Sequence, residues 1–155
     1  MKLVLIDDLF RPDDVDPCPL VIAYGSELKL IFYSAELFNA PASEHREEVI
    51  ELKFKSCDYY SLGPPNDEAL DGHPYWELGL GSYSFYELLD SDLMVKLKSY
   101  NRFHSSNNPD SYKDYHHYIL TFKDRLFECV SLAFEVAKHK QKEYDKAFVA
   151  IKTII

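Results

Sequence analysis

Seven residues in this sequence pair a polar or titratable side chain with a setting that could use it: Asn66, Asp67, Glu68, His73, His104, His117 and Glu128. The first four fall in Gly63-Pro64-Pro65-Asn66-Asp67-Glu68-Ala69 and Gly72-His73-Pro74, where prolines restrict the backbone. Their oxygens and imidazole could line a small-ligand pocket or ligate a cation. The same residue types also close turns on themselves, Asn66 and Asp67 by bonding to their own backbone and His73 by ending the loop. Turn chemistry accounts for this segment without a metal, and no metal or cofactor is expected.

The histidines come next. His104 lies in a polar loop, residues 101–114. His116 and His117 are adjacent in a β-prone run, so their side chains leave opposite faces and cannot chelate one ion together. At most one joins a site, and His117 is the candidate. If 126–136 is a strand, Glu128 shares parity with Val130, Leu132 and Phe134, which puts a carboxylate on an apolar face. Such a group needs a partner or a raised pKa unless it lies at the strand's open end with access to water. Cys129 has only Arg125 as a basic neighbour in sequence and reads as a small buried apolar residue.

Positioning these groups falls to a sheet-rich chain. Leu20–Tyr24 and Leu28–Tyr33 flank Gly25-Ser26-Glu27 as a hairpin, with Leu28, Leu30 and Phe32 on one face. From Glu48 to Ser56, Ile50, Leu52 and Phe54 alternate with Glu51, Lys53 and Lys55, which predicts a strand with one wet face. A further alternating run covers 82–89, and Asp90 or Ser91 can cap a helix through Leu93, Met94, Leu97 and Tyr100. Tyr115–Phe122 predicts a strand that turns at 123–125 into a hairpin with 126–136, although the second run also fits a helix. Tyr144, Phe148, Ile151 and Ile155 form a helical stripe whose closing β-branched residues would also suit a strand. Residues 7–19 and 61–82 read as long loops. The expected fold is therefore α+β: one antiparallel-sheet-rich domain over 1–155, with five to seven strands and one or two helices.

Composition narrows the function classes. No apolar window is long enough for a membrane span or secretory signal, and three cysteines without CxxC spacing argue against a disulfide framework, so a reducing cytoplasm is expected. Residues 1–80 carry 16 acids against 6 Lys and Arg, whereas 81–155 carry 10 against 11, so the acidic excess belongs to the first half. That field disfavours nucleic acid and anionic membrane and attracts basic protein surfaces. Phosphate loops, dinucleotide fingerprints, nucleophile elbows and paired-His zinc helices are absent.

Gly63-Pro64-Pro65-Asn66-Asp67-Glu68-Ala69, Gly72-His73-Pro74, Tyr86-Glu87, Asn101, His104 and His117-Tyr118 through Phe127-Glu128-Cys129 together resemble a family of small uncharacterised bacterial proteins, over about residues 45–136. In that pattern a histidine precedes the turn aspartate, where this chain has Lys123 before Asp124, and the departure weakens any role for the turn as a metal ligand. The resemblance implies a bacterial cytosolic protein and carries no activity with it.

Two functions compete. Acidic asymmetry, aromatic richness and small size suit an interaction factor of the immunity or antitoxin kind that binds a more basic protein, and a homo-oligomer is compatible with the same features. The alternative is a small-ligand-binding protein or hydrolytic enzyme with a pocket around 66–73, 104, 117 and 128. Spatial convergence of those residues would favour the second.

Overall fold

The structure, a computed structural model, describes residues 1–35, 48–140 and 143–154, the side chains of 143, 144, 148 and 154 excepted. The described residues form nine strands: β1 (Lys2–Leu5), β2 (Leu20–Tyr24), β3 (Glu27–Tyr33), β4 (Glu48–Lys55), β5 (Tyr59–Gly63), β6 (Phe85–Leu89), β7 (His116–Thr121), β8 (Leu126–Ser131) and β9 (Ala133–Lys140). Two helices, α1 (Asp92–Tyr100) and α2 (Glu143–Ile154), accompany them. The fold is α+β, but its strands divide between two antiparallel sheets instead of filling one, in the orders β1-β6-β7-β8-β5 and β2-β3-β4-β9. No helix among the described residues is long and apolar enough to cross a membrane.

Strand alternation builds the core between the sheets. Leu28, Leu30 and Phe32 of β3 and Ile50, Leu52 and Phe54 of β4 give the four-stranded sheet one apolar face, which meets Phe85, Tyr118, Leu120, Phe127 and Cys129 of the other sheet and Phe122 just beyond β7. Phe54 packs on Phe127 with centroids 5.5 Å apart, and Phe32 meets Phe122 edge-on at 5.1 Å. The chain changes sheet three times, once through the long connection after β1 and twice at adjacent corners, β4 to β5 and β8 to β9. At one, the run 126–136 breaks at Leu132, whose amide donates to the Lys55 carbonyl at 2.9 Å. β9 thus leaves its predicted hairpin to pair with β4. The break separates Glu128 from Phe134: Glu128 lies on the outer face of the five-stranded sheet, and Phe134 packs into the core.

The tail is helical, and α2 covers the outer face of the four-stranded sheet. Ala147 and Ala150 pack against Ile31 and Val49, while Ile151 is exposed, so the helix docks through its small residues at these positions. Tyr144 and Phe148 side chains and Ile155 lie outside the described residues. The face of β4 expected to be wet is consequently half covered. Glu51 is buried there, with carboxylate oxygens 3.6 Å from Lys29 Nζ, 3.0 Å from Lys146 Nζ and 3.4 Å from His139 Nε2. Burial opposes ionisation of Glu51, but Lys146, Lys29 and His139 together hold its pKa below the ordinary 4.5. The stabilisation from this depressed pKa is present above the ordinary value and lost as pH falls through the folded one. Thermal denaturation should therefore show stability falling below about pH 4.5, and Glu51→Gln should flatten that acid limb. At neutral pH the same substitution should cost about 1–3 kcal/mol, because two buried amines lose their counter-charge.

The segment 61–82 is more regular than its glycines and prolines suggest. Ser61–Gly63 belong to β5, and two 3-10 turns follow, Asp67–Gly72 and Trp76–Leu78. Leu70 and Leu80 seat on Tyr86, Leu88, Ile119 and Leu126, the outer face of the five-stranded sheet. The Asp67 amide donates to the Lys123 carbonyl at 2.7 Å, and Thr121 Oγ1 donates to the Gly81 carbonyl at 2.7 Å. A Cβ at Gly81 would lie 3.0 Å from the Tyr86 hydroxyl, which accepts the Gly81 amide proton, so a side chain there would have to displace that hydroxyl.

Candidate functional site

Under this cover lies His117, with no exposed surface. On the antiparallel pair β7–β8, His117 stands opposite Val130 and Glu128 opposite Ile119, so the two are diagonal neighbours on one face. His117 Nε2 lies 2.8 Å from Glu128 Oε2, and the half-buried carboxylate accepts its proton. With Nε2 holding the proton, Nδ1 of a neutral ring is free to accept. Ser91 Oγ lies 2.6 Å from Nδ1, so in the neutral ring its hydroxyl donates to that nitrogen.

Ser91 owes its place to a sharp strand-to-helix turn. β6 ends at Leu89, Asp90 takes the left-handed region at φ 53°, and Ser91 becomes the N-cap of α1, its Oγ accepting the Met94 amide proton at 3.3 Å. Short polar residues tolerate that φ better than bulky ones, which suits aspartate to the position. One hydrogen-bonded line thus runs from the Met94 amide through the Ser91 hydroxyl and the His117 ring to Glu128. Chemically it can draw a proton from Ser91 while the helix N-terminus and Glu128 stabilise the opposite charges that develop. A cleft of about 350 Å³ opens beside it, walled by Met94, Val95 and Lys98 of α1 and by Tyr112, Tyr115 and His116. Ser91 and His117 both border it, although only 3% of the Ser91 surface is exposed.

Behind the imidazole, away from the cleft walls, stand His73 and Tyr75. Their rings are 4.8 Å apart, and Tyr75 meets His117 edge-on at 6.3 Å. Burial depresses the His73 pKa, with Glu128 opposing, and His73 Nδ1 accepts the Tyr75 amide proton at 3.1 Å. Burial first, then the charge of Glu128, pushes the Tyr75 phenol up to about 12. Both rings, half-buried, back the His117 side of the relay, and burial favours the uncharged form of each.

Of the seven sequence candidates, the structure gathers His73, His117 and Glu128. Asn66 caps the first 3-10 turn, its side chain accepting the Ala69 amide proton at 3.0 Å. Asp67 accepts from the Tyr83 hydroxyl, and Glu68 is exposed. His104 is exposed, and its Nδ1 accepts the Ser106 amide proton at 3.0 Å. His116, on the opposite face from His117, pairs with Glu87. No cluster of three or more potential metal-ligating His, Cys, Asp or Glu residues occurs among the described residues. Sequence reasoning offers Asp90 or Ser91 as the cap, the structure selects Ser91, and its second bond, which depends on β6 and β7 being neighbours, has no sequence signal.

Comparison with protein-family models, with curated proteins and with solved structures finds no match, so the reading of this site rests on its own geometry.

Proposed function

We propose that this protein is a small hydrolytic enzyme whose cleft binds an ester or comparable acyl compound, with Ser91 as nucleophile, His117 as general base and Glu128 as its orienting carboxylate. The observation that carries this reading is the Ser91–His117–Glu128 line, with bonds of 2.6 and 2.8 Å, at the edge of a cleft of small-molecule size. In the reaction, Ser91 Oγ attacks the acyl carbon as His117 Nδ1 takes its proton, and the imidazolium is stabilised by Glu128. The imidazolium then protonates the leaving alcohol, and a water activated by the same nitrogen releases the acid. Hydrolysis of short-chain 4-nitrophenyl esters tests this. Ser91→Ala should lower the rate by about 10²–10⁴-fold, and Glu128→Gln should lower it less. Equal turnover by the wild-type chain and Ser91→Ala would overturn the reading.

A second reading, an acidic interaction factor for a basic protein partner, draws on a different place. The charges of Asp14, Asp67 and Asp124, from separate parts of the chain, all act on Tyr83: the hydrogen bond to Asp67 and then burial push its phenol up to about 12, with all three charges contributing. Asp13 does not join this surface: it is buried, and its Oδ1 accepts the amide protons of Val15 and Asp16. Glu47 lies outside the described residues, and Glu48 accepts the Ser34 hydroxyl proton at 3.0 Å. On this reading, association with a basic partner slows several-fold between about 50 and 500 mM salt, and Asp14→Asn with Asp124→Asn slows it similarly. A salt-independent on-rate would exclude electrostatic capture, and retention on a nucleic-acid column would point to a different partner class.

A further inference from the structure

We propose that Cys57 and Cys129 form a reversible dithiol–disulfide pair, closed by a small disulfide oxidant of the glutathione class. Their sequence separation gives no hint of this. A β-bulge brings them together where the chain passes from β4 to β5. The Lys55 carbonyl accepts from the Leu132 amide and the Asp58 amide donates to the Val130 carbonyl, so three steps along one strand answer two along the other. The extra residue is absorbed near Ser56, at φ 50°, and β5 continues with Leu62 opposite the core residue Phe127. At this corner Cys57 packs, partly buried, against the core cluster between the sheets that contains Cys129. The two thiols interact directly, and Cys57 Sγ also donates to the Tyr59 carbonyl at 3.2 Å.

Their environments differ in a way that sets an order of events. Cys57 is half-buried, and the hydrogen bond from Cys129 lowers its pKa, the largest of the influences on it. Cys129 is fully buried, and burial raises its pKa. Cys57 is therefore the attacking thiolate and Cys129 the resolving thiol. The Cys57 thiolate displaces one glutathione thiolate from oxidised glutathione, forming a mixed disulfide. Cys129 then gives up its proton and attacks Cys57 Sγ, expelling a second glutathione thiolate. Two protein thiols are oxidised and one glutathione disulfide is reduced to two thiols. This pair is separate from Ser91, His117 and Glu128, and its test does not read hydrolysis.

The test uses the full chain with Cys18→Ser, which removes the exposed third thiol. After equilibration with a series of glutathione ratios below the melting temperature, free thiols are alkylated and the chain is digested with trypsin. Cleavage after Lys55, Lys96, Arg125 and Lys138 separates the two cysteines onto different peptides. The expected product is a cross-linked pair of these peptides, with a loss of about 2 Da and reversal by dithiothreitol. Closing so long a loop should raise the melting temperature by roughly 5–10 °C. In Cys129→Ser, oxidation should stop at one glutathione adduct on Cys57. A native chain that keeps both thiols free at every ratio, or stops at the Cys57 adduct with Cys129 present, would overturn the proposal. A cross-link forming only in denaturant would do so as well.

Discussion

His117→Ala should lower the melting temperature by roughly 10 °C and abolish any hydrolytic turnover. The ring is fully buried and holds two polar partners at once, the Ser91 hydroxyl and the Glu128 carboxylate. Removing it leaves both groups short of a hydrogen bond and opens space against Tyr75, a combination worth about 3–5 kcal/mol. For a domain of this length each kcal/mol moves the midpoint by about 2–4 °C. His117→Gln, which can still bond to one partner, should fall between wild type and alanine. A double-mutant cycle with Ser91→Ala should give a coupling of about 1–2 kcal/mol, since the two side chains touch. An unchanged melting temperature for His117→Ala would mean that the relay bears no structural load.

Phe127→Ala should be at least as damaging, for an apolar reason. Phe127 is fully buried between the sheets, packs on Phe54 and belongs to the cluster that joins β3 and β4 to β7 and β8. Truncating a phenylalanine in such a setting removes apolar burial and leaves a cavity that surrounding strands cannot close, at about 3–5 kcal/mol. Urea denaturation should show the midpoint falling with little change in slope. Phe127→Leu should recover more than half of the loss, and equal costs for the two variants would argue against cavity formation.

Legibility in the sequence tracks the range of each interaction. The β2–β3 hairpin, the alternation of β4, the Ser91 cap of α1 and the turn at 123–125 are legible because each is decided within a few residues. Gly25 with Ser26 makes the hairpin connection one residue shorter than expected, since Glu27 already pairs with Tyr24. The division into two sheets is hidden, because it turns on Leu132 and Ser56, neither of which carries a corner signal of its own. Glu51 on a face read as wet is buried because α2, distant in sequence, brings Lys146 to it. Glu128 does need a partner, as its sequence setting suggests, but parity with Phe134 assigns it to the wrong face: β8 ends before Leu132, so Phe134 belongs to another sheet. Its partner His117 is among the sequence candidates. Ser91 is not, since a helix cap and a histidine twenty-six positions away meet only once β6 and β7 are neighbours.

Covalent capture of Ser91 is the most direct measurement of the proposed relay. A fluorophosphonate probe reacts with a serine hydroxyl only when a nearby base draws off its proton, and the modified residue is located by peptide mass mapping. Ser91 should be labelled in the wild-type chain, with no label at the other serines. In Glu128→Gln, with folding checked by circular dichroism, labelling should slow by about 10-fold or more, and in His117→Gln it should vanish. A wild-type chain in which Ser91 stays unlabelled while folded, or is labelled equally well in His117→Gln, would contradict the relay and leave Ser91 as a helix cap alone.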